Sequence, residues 1–370
     1  MNMRTGPSWF QRFLLPGFAF KAVVIGGGYA TGRELVEFFM PAGPWGGVGG
    51  MLLATVMWGG LAALTFAFAR TVGALDYRSF FARLLGPGWV LFEIAYLLLV
   101  VLLLSVFGAT AGEMGAALFG WPKLAGTLLL ALSMAGFAAF GNMAVEALFK
   151  YVSFLLYGVY ALFLLLALSS FGDQIAQNFT IQVPADGWAM GGITYAAYNV
   201  AGAVMILPVL RHMTSRRDAV IAGLVAGPLA MAPALLFFVC MVGFYPTIMN
   251  ETLPSDFMLR KLDMPAFHLL FQFMIFTALL ESGTGAIHAV NERIAGVWQA
   301  RRGRTLGAGG RGLIAAGLLV GCMFIADRFG LVTLIANGYR FLALLFLGVF
   351  VLPLVTVGLA RLLRGTRMDG

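Results

Sequence analysis

The chain has 370 residues, 61% of them hydrophobic and 11% charged, and its mean hydropathy is +0.91. Soluble domains carry about 25% charged residues, so the composition excludes a soluble enzyme and requires an integral membrane protein. The formal charge of +8 does not point to nucleic acid. The basic residues lie in short loops between apolar runs, where they orient a membrane chain. Cys240 and Cys322 fall inside apolar runs and read as small buried hydrophobes, not as a disulfide or a metal pair.

A membrane-spanning helix needs about 20 apolar residues. That ruler predicts ten spans, at 15–40, 46–70, 88–119, 123–141, 145–170, 188–212, 218–245, 266–299, 311–327 and 331–362. No gap between them is long enough for a soluble domain, so 1–370 reads as a single membrane domain. No cleavable signal is expected, because Lys21 and a glycine cluster interrupt the first apolar run.

That first run contains VVIGGGYATGRELVEFF, from Val23 to Phe39. Each glycine inside a helix costs roughly 1 kcal/mol relative to alanine. A charge at bilayer depth costs about 2.5–3.5 kcal/mol or more. Gly26, Gly27, Gly28 and Gly32, with Thr31, Arg33 and Glu34 behind them, therefore suit a cavity wall better than an anchor. The stretch predicts a helix broken at mid-membrane, its second half starting near Thr31 and turning its positive end toward a solute. Gly28 and Gly32 also form a G-x-x-x-G, which permits close helix packing without any break. A dinucleotide loop is excluded because no βαβ unit surrounds the glycines.

Further along, DYRSFFARLLG from Asp76 to Gly86 predicts an amphipathic helix lying in the interface. Glu113 falls near the end of the third span, and Lys150, with Glu146 four residues before it, near the start of the fifth. The sixth run, GGITYAAYNVAGAVMILPVL, places Gly191, Gly192, Gly202 and Pro208 around Tyr195, Tyr198 and Asn199. It predicts a second interrupted helix. The 246–265 loop, with Pro246, Pro254 and Pro265, predicts a short surface helix over the outer vestibule.

With the N-terminus placed inside and the spans alternating, about 16 Lys and Arg fall on the cytoplasmic side and about four outside. Both termini are therefore expected in the cytoplasm, with the chain a multi-pass protein of the plasma (inner) membrane. Five spans per half make the halves opposite in sense. Residues 15–170 and 188–364 read as an inverted repeat in which the first and sixth spans correspond.

GGGYATGREL resembles the G-x-G-[YF]-A-[ST]-G-[QR]-E pattern of YkvI-type amino-acid permeases, and YNVAGAVMILPVL resembles their sixth helix. These permeases belong to the amino acid–polyamine–organocation superfamily. The resemblance implies a LeuT-like fold, all-α with ten transmembrane helices in a five-plus-five inverted repeat, and implies transport without naming the cargo.

On that reading Gly26, Gly27, Gly28, Tyr29, Ala30, Thr31 and Gly32 supply bare peptide groups to the solute. Tyr195, Tyr198, Asn199 and Gly202 face them from the sixth span, unless the tyrosines serve only helix packing. Arg33 and Glu37 are spaced to neutralise each other, and an outer gate in which Arg33 meets Glu113, or Arg340 meets an acid, is expected. In LeuT-like proteins a sodium site, or a lysine in its place, joins the first, fifth and eighth spans. The candidates here are the Lys150 amine or the oxygens of Ser282 and Thr284. Glu281, a carboxylate at membrane depth, is either a proton carrier or a partner for a cationic solute.

His212, His268 and His288 are too scattered for a metal site, and no nucleophile–base pair is present. The sequence therefore predicts a secondary transporter of an amino-acid-like solute. Organic cations, amines or nucleobases are the alternative cargo, and a membrane sensor the remote one. No cofactor is expected beyond a coupling proton or sodium ion. The expected partners are the small solute and the bilayer.

Overall fold

A computed structural model describes residues 7–24, 31–140 and 142–364, with the backbone alone at 138–140, 142–154 and 308. All regular structure among the described residues is helical. The chain runs through α1 (Leu15–Val24), α2 (Arg33–Phe38), α3 (Gly43–Val72), α4 (Tyr77–Leu85) and α5 (Trp89–Phe119). Then come α6 (Lys123–Phe140), α7 (Asn142–Asn178), α8 (Trp188–Asn199), α9 (Ala201–Met205) and α10 (Arg216–Val242). It ends with α11 (Pro254–Leu262), α12 (Pro265–Arg302), α13 (Ala308–Thr333), α14 (Tyr339–Phe346) and α15 (Leu359–Leu363).

By length and composition, 6 helical stretches can cross a membrane: Met40–Val72, Tyr77–Phe119, Leu155–Asn178, Arg216–Val242, Pro265–Arg302 and Gly309–Leu363. The difference from ten has local causes. The stretch expected as the first span holds α1 and α2, each too short to cross singly, and residues 25–30 between them lie outside the described residues. The sixth is divided among α8, α9 and a 3-10 segment, Leu207–His212, because Val200 and Ile206 interrupt it and Pro208 enters at the segment's first turn. The fourth is the short Lys123–Phe137. The ninth and tenth run on as one stretch of 55 residues, bent where Gly330 takes φ 71° and ψ 164°.

Two local expectations take definite shape. The 76–86 stretch is α4, started by Asp76, whose carboxylate accepts from the Ser79 amide at 2.9 Å, and stopped at Gly86 with φ 59°. The 246–265 loop contains α11, and it is not a loose cover. Ser255, Asp256, Met258 and Leu259 are buried, and the Ser255 amide donates to the Thr31 carbonyl at 2.9 Å.

The most extensively packed helix pair is α3 against α10. A Cβ added at Gly223 would stand 2.3 Å from the Ala63 backbone, and one at Gly227 would stand 2.4 Å from the Thr55 carbonyl. Small residues let these backbones meet, which is how helices associate in lipid, where water drives nothing together. Cys240 and Cys322 are buried and unbridged.

Candidate functional site

A cavity of about 370 Å³ lies where the ends of α1 and α2 meet α5, α7, α8, α9, α12 and α14. Its wall is mostly apolar. The charged side chains on it are Lys21, Glu34 and Glu281, and the polar ones include Tyr96, Tyr157, Tyr198, Asn199, Ser282 and Tyr339. That pattern, an apolar cleft with a few convergent polar groups, suits a small polar solute.

Glu34 enters the cavity because α2 restarts just before it. Gly32, at φ 78°, is a left-handed position that a side chain would strain. The carboxylate of Glu34 is buried and accepts a hydrogen bond from the Tyr198 hydroxyl at 2.6 Å. Tyr198 stacks on Tyr339 with ring centroids 4.4 Å apart. The Tyr339 hydroxyl is buried beside the same carboxylate, without a hydrogen-bond partner of standard geometry. One contact group thus joins α2, α8 and α14.

Across the cavity the Lys21 amine sits 4.1 Å from the centre of the Tyr157 ring, a cation–π contact between α1 and α7. Lys21 is buried, and no carboxylate comes within ion-pair distance of it among the described residues. Glu281 on α12 is half-buried and close enough to Tyr157 to act on its hydroxyl. Asn199 spends its amide N–H on the Tyr195 carbonyl at 3.1 Å, which leaves its oxygen as the acceptor on a wall residue.

Each end of the cavity adjoins a charged cluster. At one end, Glu37 joins Arg33 and Arg340, each at 3.1 Å. Arg33 also donates to the Glu251 carbonyl at 2.9 Å, tying α2 to the segment before α11. At the other end, Arg293 pairs with Glu93 at 3.1 Å, between the rings of Tyr77 at 4.2 Å and Tyr96 at 3.8 Å. Tyr96 belongs to both this cluster and the cavity wall.

Of the residues singled out by sequence, Tyr198, Asn199, Gly202, Glu281 and Ser282 line the cavity. Thr31 and Gly32 adjoin it at the restart of α2. Tyr195 is fully buried one layer behind, between Phe39 and Trp58, with centroid distances of 5.0 and 5.3 Å. Thr284 is buried off the wall, its hydroxyl without a hydrogen-bond partner. Gly26, Gly27, Gly28, Tyr29 and Ala30 lie outside the described residues, and so does the Lys150 side chain.

The expected pairing of Arg33 with Glu113 is replaced. Glu113 binds Lys123 at 2.6 Å on the neighbouring helix, and the acid that meets Arg340 is Glu37. Sequence reasoning missed Lys21, Tyr157 and Tyr339 as site residues, gave Glu34 no role of its own within the stretch it read as a cavity wall, and missed Arg293 with Glu93 as a cluster. The available signal was charge inside an apolar run, which Lys21, Glu34 and Glu93 all carry. Among the described residues no group of three or more His, Cys, Asp or Glu converges as a metal site would.

No family model matches the chain. It is 24% identical over 292 residues to the uncharacterized membrane protein YkvI of Bacillus subtilis (strain 168), covering 75% of this chain and 79% of that one. A Na+-coupled sialic acid symporter, solved substrate-bound and outward-open, superposes with a TM-score of 0.58 at 12% identity, over 95% of this chain and 82% of its own. Mhp1, a nucleobase-cation-symport-1 family transporter solved closed around bromovinylhydantoin, also gives 0.58, at 15% identity over 93% of this chain and 78% of its own. The chain is thus a multi-pass membrane protein of all-helical, LeuT-like fold and a relative of YkvI.

Proposed function

We propose that the chain is a secondary active transporter that moves an amino-acid-like solute by alternating access, coupled to protons or sodium. The observation that carries this reading is the cavity: it sits beside the restart of α2 and presents both signs of charge, Lys21 against Glu34 and Glu281. A zwitterion needs both. Lys21 takes the carboxylate, one of the acids takes the ammonium, and the tyrosines cover the side chain.

On this reading the first and sixth spans are the broken pair of a five-plus-five inverted repeat, 15–170 and 188–364, within ten spans. Thr31, Gly32 and the glycines before them give peptide groups to the solute. The Glu37 cluster closes the outer end and the Arg293–Glu93 cluster the inner end, with both termini in the cytoplasm. The two phases of transport open them in turn. The similarity to the sialic acid symporter and to Mhp1 supports a transporter in general and no cargo in particular.

A second reading has its own observation. The wall carries two carboxylates and one amine, an excess that favours an organic cation or amine. A thermal-shift panel of L-amino acids beside their decarboxylated amines, with and without sodium, separates the two, since a ligand that binds only the folded state raises the melting point. Amino acids are expected to stabilise the protein and the amines not to. The variant Lys21→Gln is expected to lose amino-acid affinity at least about tenfold, the scale of one charge-assisted hydrogen bond. If nothing in the panel stabilises the wild-type protein, the transporter reading fails.

A further inference from the structure

We infer that Glu34 is the proton-binding site of the transport cycle: one proton rides on its carboxylate with each solute molecule, without sodium. This rests on the proposed transport of a zwitterion and adds the coupling ion and its seat.

The charges on the cavity wall lead there. Lys21 and Glu281 both act on Tyr157, the amine over its ring from α1 and the carboxylate on its hydroxyl from α12, so one positive and one negative charge stand at the same side chain. Glu34 has no such partner. Among the described residues no cation lies within 4.0 Å of it, although the residue is 5% exposed. The adjacent Arg33 turns away to Glu37 and the Glu251 carbonyl, and Arg340, beside Tyr339, also goes to Glu37. The groups that do face Glu34 are phenols, Tyr198 from α8 and Tyr339 from α14, with Tyr195 edge-on to Tyr198 behind them. A carboxylate withdrawn from water must find a cation or take up a proton. A zwitterionic solute adds no net charge, so the remaining negative charge has to be matched by one cation bound with it.

A proton needs a single free lone pair, whereas a hard metal ion needs several oxygens converging on it. Tyr198 points its O–H at Glu34 Oε2, and the other carboxylate oxygen, Oε1, is left to take the proton. A proton passes from water to that carboxylate, forming the neutral acid, and leaves to water on the other side of the membrane. The charged form holds Tyr198 by a charge-assisted hydrogen bond and the neutral form holds it more weakly. Protonation therefore loosens the link between α2 and α8, which must move in alternating access.

The test is ligand binding by the purified full-length protein as a function of pH, using an equimolar pool of L-amino acids as the probe. If the bound state requires the proton and the free state lacks it, apparent affinity falls tenfold per unit of rising pH above the titration midpoint. Sodium leaves that slope unchanged. Glu34→Gln, a stand-in for the protonated acid, is expected to bind at pH 8.5 about as tightly as the wild-type protein does at low pH, with a flat profile. Tyr198→Phe keeps the slope and moves its midpoint, and it carries the test should Glu34→Gln fail to fold. A slope that survives in Glu34→Gln, or a midpoint that is unmoved in Tyr198→Phe, overturns the inference while the transporter reading stands. Binding that needs sodium and ignores pH also overturns it. Absence of any binding by the wild-type protein removes the transporter reading itself.

Discussion

Replacing Glu37 with alanine is expected to destabilise the protein by about 3 kcal/mol, more than removing either arginine that it holds. The order follows from exposure. The Arg33 side chain is 8% exposed and Glu37 14%, whereas Arg340 is 58% exposed. Without Glu37 a guanidinium is left buried with, among the described residues, the backbone carbonyls of Met249 and Glu251 as its acceptors. Arg33→Ala leaves Glu37 still paired with Arg340 and should cost roughly half as much. Arg340→Ala removes an exposed pair, worth about 0–1 kcal/mol. Thermal unfolding in detergent reads all three, and an Arg340→Ala loss equal to that of Glu37→Ala would contradict the argument. If the cluster is also a gate, Glu37→Ala should raise the rate at which an impermeant thiol reagent reaches Asn199→Cys on the cavity wall. The native cysteines are buried and give little background.

Gly191→Ala is expected to cost about 3 kcal/mol or more, the upper end of overpacking in a tight interior. A methyl group at Gly191 would stand 1.9 Å from the Phe38 carbonyl oxygen, where α8 crosses the end of α2. That neighbour is backbone and cannot rotate away, so the two helices must part. Gly192→Ala meets the Gly50 carbonyl at 2.4 Å and should behave alike. The control is Gly158→Ala in α7, where nothing lies within 4 Å of the added carbon. Relief of a helical glycine there should be neutral or stabilise by up to about 1 kcal/mol. A milder loss is expected for Gly202→Ala, whose nearest atoms belong to the Phe20 and Val23 side chains at 3.1 and 3.2 Å. Equal unfolding midpoints for Gly191→Ala and Gly158→Ala would refute the close approach.

These two sites show how differently features were legible in the sequence. The spacing of Arg33 and Glu37, i and i+4 on one helix, is visible in any sequence, because a helix places such residues on one face. That Arg340 completes the cluster is not, since more than 300 positions separate it from Glu37. In the same way Gly191 and Gly192 read as interruptions of the sixth span. They lie inside α8, and their small size serves close packing. The interruption falls instead at Val200 and Ile206, neither a residue type that announces a break. Glu113 was legible as a charge within a span, but its partner, Lys123, opens the next expected span, and no spacing rule joins residues on two different helices.

The sequence by itself determined that this is an all-helical membrane protein with short loops, because composition and apolar run length depend only on transfer from water to lipid. It also located the two stretches where a regular helix is least comfortable, since glycine, proline and charge carry their costs wherever they stand. Only the tertiary structure decided which side chains share the cavity. Lys21, Glu34, Tyr157, Glu281 and Tyr339 come from five separate stretches of chain. Their meeting depends on how helices pack against one another, and small residues scattered along most of the long helices leave that packing undetermined until the whole bundle is assembled.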